Sequence, residues 1–377
     1  MVEEVGIGIL GCGKTSKPYF DLIPAFQGLK IRACADLNRD AAQVRASENG
    51  IRLETVHDLL MAEDVDLIVN LTTPDAHGMV IREILTHGKH VYSEKPLVPT
   101  LSEGEAVMDL ARQQNLQVGC APDTFMGGAW QSARKAIDDG LIGQVIGGTC
   151  HAMTGGIETW HPSPETFYKA GGGPVLDFGP YYLAALVNLI GPVRRVCAMH
   201  SMPQTSRKIG FGSRKGTSID VEVPTTVHAS MMFETGALIS FLASWDVEAH
   251  AHTPIELYGT EGTLFLPDPV FFGGDVVCVT KSGERKVLDT ESHPFSRPNL
   301  TSRGRERASY RAAGLADMVS ALQIGGEFRC TIERALHSVE VIEAIRNAGA
   351  TGQTVDITHS ATRPAPLSAV EAEDLMR

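Results

Sequence analysis

Val5-Gly-Ile-Gly-Ile-Leu-Gly-Cys-Gly-Lys-Thr-Ser16 is the stretch that decides the fold. Val5–Leu10 is an apolar run of strand length, and Pro18 suits the first turn of a helix that follows. Gly11 and Gly13 let the backbone turn tightly between them and approach a pyrophosphate, whose charge sits at the helix amino terminus. Gly11, Gly13, Lys14, Thr15 and Ser16 are therefore candidate cofactor-binding residues, with Ser16 where the usual fingerprint has a third glycine. A Gly-x-Gly alone is often an ordinary turn; a strand before it and a helix after it give it weight.

Working outward, short apolar runs at 30–35, 66–71, 90–93 and 117–120 alternate with amphipathic stretches, the pattern of βαβ units. Asp66-Leu-Ile-Val-Asn-Leu71 is apolar on both faces, as a strand covered on each side must be. Leu101, Val107, Leu110 and Ala111 mark a helix with Ser102 and Glu105 as its capping box. Residues 1–121 thus read as an α/β Rossmann domain, a doubly wound parallel sheet. After 121 the texture changes. A helix over 127–139 precedes strands that alternate strictly, 226–233 with 237–245 and 255–258 with 263–266, each pair joined by a glycine-containing turn. With helices over 178–190, 308–323 and 331–347, residues 122–377 read as an α+β domain with a large, mostly antiparallel open sheet. The helix over 331–347 is expected near the domain junction, residues 281–307 read as loop, and the last dozen residues are expected to fray.

The chain has 377 residues, 43% of them hydrophobic and 21% charged, a globular composition. No apolar run approaches the roughly 18 residues that span a bilayer, and the start lacks the basic flank and apolar stretch of a signal peptide. Seven scattered cysteines without a Cys-x-x-Cys pair suggest reduced thiols in a cytoplasmic protein and no metal site. A net charge of −12 speaks against a nucleic-acid partner. The basic residues over 303–311, interrupted by Glu306, read as a solvated face.

Asp36 lies 23 positions past Gly13, at the end of the second strand. A carboxylate there accepts from adenosine ribose hydroxyls and repels a 2′-phosphate, so NAD is the expected cofactor; Arg39 close by leaves NADP open. Asp36 reads alternatively as a residue at the start of the next helix. Thr72, Thr73 and Pro74 close another strand, at the rim where doubly wound sheets bind ligands. His77 is either beside the cofactor or a structural residue of a helix turn. Ser93-Glu-Lys-Pro96 ends a further strand at the same rim, which would point Lys95 at the nicotinamide. An amine beside a positive ring loses its proton readily and can deprotonate a substrate hydroxyl as hydride leaves carbon.

These motifs, together with Gly171-Gly-Gly-Pro-Val-Leu-Asp177-Phe-Gly-Pro-Tyr181 and the hairpin Gly259-Thr-Glu-Gly262, resemble the Gfo/Idh/MocA oxidoreductase family over nearly the whole chain. The resemblance implies that Lys95 is catalytic, that Glu94 lies near the nicotinamide ribose, that the Lys95–Pro96 bond is cis, and that an open sheet mediates a homodimer or homotetramer. It also implies that Asp177 and the residue four later face the substrate. Many members have histidine at that position; this chain has Tyr181, so Lys95, Asp177 and Tyr181 form the expected catalytic group, with no one of them assigned as final base. Packing aromatics at a helix start are the alternative for Tyr181 and Tyr182.

Trp160-His161-Pro162 and Phe167-Tyr168-Lys169 suit a sugar, which shows apolar C–H faces and a rim of hydroxyls. Trp160, His161, Tyr168 and Asp123 are candidate substrate contacts, although Asp123 could equally cap the next helix and His161 could be a core histidine. The expected activity is hydride transfer between the nicotinamide and a secondary alcohol or ketone of a sugar, cyclitol or related carbohydrate-like molecule. The alternatives are an enzyme that recycles tightly held NAD in glycoside cleavage or sugar–sugar redox, and a non-catalytic dinucleotide sensor.

Overall fold

Val5–Leu10 forms strand β1, and every residue in it after the first is buried. The structure, a computed structural model, describes residues 4–161, 163–302 and 304–377, so Pro162 and Arg303 lie outside it. Strands β2 (Leu29–Ala35), β3 (Arg52–Leu53), β4 (Leu67–Asn70), β5 (His90–Ser93) and β6 (Val118–Cys120) join β1 in a six-stranded sheet of order β3-β2-β1-β4-β5-β6. All five pairings are parallel. This is the order of a doubly wound dinucleotide fold, in which ligands bind beyond the carboxyl ends of the strands where the order reverses. Helices α1 (Ser16–Leu22), α2 (Arg39–Asn49), α3 (Val56–Met61), α4 (His77–Thr86) and α5 (Leu101–Gln114) connect the strands. The cap of α5 is Thr100, whose hydroxyl accepts from Glu103 N, so the cap lies two residues before the expected Ser102.

The next segment holds α6 (Gly128–Asp138), β7 (Val145–Met153), α7 (Glu165–Tyr168), α8 (Pro174–Ile190), β8 (Val193–Ser201), the small hairpin β9 (Ser206–Lys208) and β10 (Ser218–Asp220), and strands β11 (Thr226–Phe233), β12 (Leu238–Ser244), β13 (Ile255–Gly259), β14 (Gly262–Leu266), β15 (Val277–Thr280) and β16 (Arg285–Val287). Both expected hairpins are present, β11 with β12 and β13 with β14. They belong to a nine-stranded sheet in which β7 pairs parallel with β12 and the other neighbours run antiparallel. One face is covered: Val227, Ala229, Met231 and Phe233 of β11 share a core with Leu183, Leu186 and Ile190 of α8. On the other face Met199 and Leu238 are 78% and 52% exposed.

Trp130 anchors this core from α6, fully buried, with its indole N–H donating to Phe271 O at 2.9 Å. Trp130→Ala should cost roughly 3–5 kcal/mol through lost transfer energy and the cavity left behind. A denaturant midpoint within error of wild type would contradict that packing.

The chain then forms the hairpin β17 (Leu300–Ser302) and β18 (Arg305–Arg307), α9 (Ala313–Ile324), α10 (Ile332–Thr351), β19 (Val355–Asp356) and α11 (Ala369–Asp374). The region expected as loop over 281–307 therefore contains β16, β17 and β18. Contacts group residues up to Gly128, Glu291–Val339 and Pro364–Arg377 into one compact unit, and Ala129–Thr290 with Glu340–Arg363 into another. The expected cut after residue 121 instead assigns 291–339 and 364–377 to the later domain. Helix α10 serves both cores: Ile332 and Val339 pack with the first, Val341, Ile342 and Ile345 with the second. The last residues, expected to fray, are tied down. Ser368 and Glu371 form a capping box for α11, Gln27 N donates to Leu375 O, and Arg377 N donates to Ala25 O.

Among the described residues no helix is long and apolar enough to cross a membrane, and no group of His, Cys, Asp or Glu is arranged to hold a metal ion.

Candidate active site

The glycine loop sits where β1 ends. Gly11 has φ +101°, and a Cβ there would stand 2.6 Å from the Leu71 carbonyl carbon and oxygen, so the residue must be glycine. Gly13 is different: a Cβ on it would meet nothing within 4 Å. Ser16 is fully buried; its hydroxyl donates to Gly13 O at 2.7 Å and accepts from Arg45 Nε at 3.2 Å. Lys14 and Thr15 are exposed beside it, and α1 has no side-chain cap. Asp36, at the end of β2, accepts from Cys12 N at 2.6 Å and Asn38 N at 2.7 Å. It braces the loop, while Asn38 caps α2 through Ala41 N. An open-sided glycine, a helix start without a side-chain cap and a carboxylate at the rim fit a dinucleotide. Gly11, Gly13, Lys14, Thr15, Ser16 and Asp36 are the residues that would hold its adenosine half and pyrophosphate.

At the β4–β5 rim a buried residue absent from the sequence reading organises the loops. Asn70 accepts from Thr72 N and from the Thr72 hydroxyl and donates to Ser93 Oγ at 3.1 Å. His77 is 1% exposed, with Nδ1 2.7 Å from Pro96 O and Nε2 3.1 Å from Thr72 O. Burial lowers its pKa, outweighing the two backbone carbonyls. His77 thus staples the Thr72 loop to the Lys95–Pro96 loop. Thr73 and Pro74 are exposed at the tip. The Lys95–Pro96 bond is cis, as the resemblance implies. Lys95 is half-buried, and its backbone N donates to Glu94 Oε2 at 3.0 Å. Glu94 Oε1 accepts from Tyr19 Oη at 3.1 Å and from Arg311 Nη1 at 2.9 Å. Arg311, read as part of a solvated face, is thus a partner of the rim.

Asp123 does cap a helix, but not the next one. Its Oδ2 accepts from Ala312 N at 3.0 Å and Gly314 N at 3.1 Å, at the start of α9. Burial pushes the carboxyl up to about 6, against the opposing help of the Gly314 N–H and Arg311. In the window from about 4 to about 6 the folded chain holds a proton that the unfolded chain releases, so this group's contribution to stability falls as pH rises. Asp123→Asn keeps an acceptor for both N–H groups and should flatten the thermal stability profile across that window. A profile unchanged from wild type would contradict the assignment.

In the other unit, α8 begins at Pro174, four residues before the expected start, and Asp177 N donates to Gly173 O. Asp177 and Tyr181 therefore lie one turn apart on one helix, as the spacing requires. Asp177 is half-buried, Tyr181 is 8% exposed, and Tyr182 is a core residue whose hydroxyl donates to His151 O. Trp160 is 41% exposed and stands edge-on to His161, which in turn meets Phe167 at 5.1 Å. Tyr168 departs from its expected place at a pocket wall. It is fully buried against Trp245, and its hydroxyl donates to Glu158, which also accepts from Arg207 at 3.0 Å. Arg207 further pairs with Asp246. This buried network fixes the segment that carries Trp160 and His161; nothing periodic around Arg207 marks it in the sequence.

The first unit, with its glycine loop and charged rim, has the architecture of a nicotinamide-dependent oxidoreductase, and the comparisons with known proteins agree. Residues 5–121 match the model of an oxidoreductase family with an NAD-binding Rossmann fold, and residues 130–265 match the GFO/IDH/MocA C-terminal domain. The chain belongs to the Gfo/Idh/MocA family of NAD-binding oxidoreductases. It is 26% identical to a 1,5-anhydro-D-fructose reductase of Ensifer adhaerens, over 93% of this chain and 98% of that one. It is also 26% identical to a scyllo-inositol 2-dehydrogenase (NAD(+)) of Bacillus subtilis, over 71% and 75%. The solved structure of a levoglucosan dehydrogenase in complex with NADH superposes with a TM-score of 0.80 at 20% identity, covering 95% of this chain and all of that one.

Proposed function

We propose that the chain moves hydride between NAD(H) and a secondary alcohol or ketone of a sugar, cyclitol or similar polyol. The position of Lys95 carries the reading: it follows β5 at the rim that also bears the Gly11–Ser16 loop and Thr72. NAD, when bound, supplies the hydride acceptor, and NADH the donor. Lys95 holds the substrate oxygen and takes the hydroxyl proton as the C–H bond breaks, leaving a carbonyl. Asp177 and Tyr181, one turn apart on α8, orient the neighbouring hydroxyls and relay that proton. Glu94, with Thr72, Thr73 and Pro74, takes the nicotinamide half; His77 acts by holding two of those loops together. Trp160 and His161 offer an apolar face to a sugar ring. Functionally, residues 1–121 bind cofactor and residues 122–377 bind substrate.

Asp36 at the adenosine end favours NAD over NADP. The uncovered face of the nine-stranded sheet, with Met199 and Leu238 outward, supports a homodimer or homotetramer. Seven free cysteines, six of them buried, support a cytoplasmic setting.

Titration of the purified chain with NADH and NADPH, followed by a panel of polyols and glycosides read at the NADH absorbance, tests the proposal. Binding of NADH and turnover of at least one polyol is the expected result. No reaction over the whole panel despite binding would instead favour a dinucleotide sensor.

A further inference from the structure

Glu94 is held by donors from three parts of the chain. Tyr19 of α1 and Arg311 both donate to Oε1, and the Lys95 N–H donates to Oε2. Arg311 arrives from 217 residues away, and its guanidinium also lies 6.0 Å from the Tyr19 ring centroid. The backbone that delivers it is strained. Ala312 has φ +87°, one of two non-glycine residues with positive φ among those described. Such a conformation persists only where its surroundings over-determine it, and residues of this kind cluster at active sites and ligand clamps. Here the determinant is visible. The buried Asp123 carboxylate accepts from Ala312 N and Gly314 N, clamping the residues on either side of the turn. Gly314 is confined as well: a Cβ on it would come within 2.7 Å of Cys330 Sγ and 2.9 Å of Asp123 Cβ. A mere surface ion pair would need none of this.

The sheet order says what the held carboxylate is for. In the order β3-β2-β1-β4-β5-β6, the half containing β2 ends at Asp36 and takes a dinucleotide's first mononucleotide. The half containing β4 and β5 takes the second, and Glu94 follows β5 directly. A carboxylate beyond a strand end is an acceptor for ribose hydroxyls. Freezing it beforehand removes the ordering cost that binding would otherwise bear. We infer that Arg311 is a positioning residue of the dinucleotide site, clamped by Asp123 through the Ala312 turn, that presents Glu94 to the ribose of the second mononucleotide. The inference rests on the dinucleotide reading above and assigns a binding role to a stretch that folds into the glycine-loop unit although Arg311 lies 190 residues beyond residue 121 in the sequence.

ADP carries the first mononucleotide and both phosphates but no second ribose, so it separates positioning from general damage. Equilibrium titrations of NADH and ADP should show Arg311→Gln weakening NADH about tenfold while ADP stays within about twofold, as loss of a charge-assisted contact network requires. Glu94→Gln should give the same selective loss, and the double variant should add little to either, since both act through one contact. Arg311→Lys, which keeps charge but not the planar fork, should fall between wild type and Arg311→Gln for NADH. It serves as the test if the glutamine variant does not fold. Equal losses for NADH and ADP, unchanged NADH affinity, or full additivity in the double variant would overturn the role of Arg311. A wild-type chain that binds neither nucleotide would overturn the dinucleotide reading itself.

Discussion

Lys95→Ala is expected to lower turnover about a thousandfold while leaving NADH affinity within about threefold, because proton transfer by a positioned side chain is typically worth that much and cofactor binding does not depend on it. The substitution removes the amine and the three methylenes that carry it, and leaves the backbone untouched. The backbone N–H still donates to Glu94, so the carboxylate proposed to meet the cofactor keeps that hydrogen bond. Lys95→Arg restores charge but not a proton acceptor, since a guanidinium stays protonated, and should be as inactive as the alanine variant. A substrate found in the polyol panel, assayed under saturating NAD, gives the measurement. Turnover of Lys95→Ala within tenfold of wild type would remove the residue from the reaction.

Gly11→Ala should damage both cofactor binding and stability, because a methyl there is opposed by the backbone conformation and by its neighbours. The backbone at φ +101° already disfavours a Cβ by about 1–2 kcal/mol. The added carbon would also stand 2.6 Å from the Leu71 carbonyl and 2.9 Å from Thr72 N, all backbone atoms, so the loops after β1 and β4 must part. These loops meet where the strand order reverses, the place a dinucleotide crosses. NADH affinity should fall by about a hundredfold or more, and the thermal midpoint should drop with it. Gly13→Ala makes the contrast. Its Cβ meets nothing within 4 Å, so stability should hold while the methyl occupies space the pyrophosphate would use. Equal stability for the two variants would contradict the packing described around Gly11.

What could be read from the sequence was what local chemistry encodes. The run Val5–Ser16 carries its strand, turn and helix start within a dozen residues, and Asp177 and Tyr181 carry their shared face in their spacing. β7 gives no strand signal because Gly147 and Gly148 break its alternation, although it sits in the middle of the nine-stranded sheet and pairs parallel with β12. The start of α8 is masked because Gly171–Gly173 read as loop up to the proline that in fact opens the helix. Asp123 caps a helix 189 residues away, and Arg311 reaches Glu94 across 217; no window of local sequence contains both partners. The grouping of 291–339 with the Rossmann unit is hidden for the same reason, since it is made by tertiary packing such as that of Ile332 and Val339 rather than by any boundary signal. The docking of the last helix on Ala25 and Gln27 is a further case: its capping box is local, its destination is not.

The most direct measurement is a crystal structure of the chain with NAD(H) bound. The account requires the dinucleotide to lie along the carboxyl ends of β1, β4 and β5, with the Lys95 amine turned toward the reacting carbon of the nicotinamide and within about 3.2 Å of where a substrate oxygen beside it would sit, the reach that proton transfer needs. A cofactor seated elsewhere on the protein, or a Lys95 amine turned away from the ring with no path for a hydroxyl between them, would contradict it.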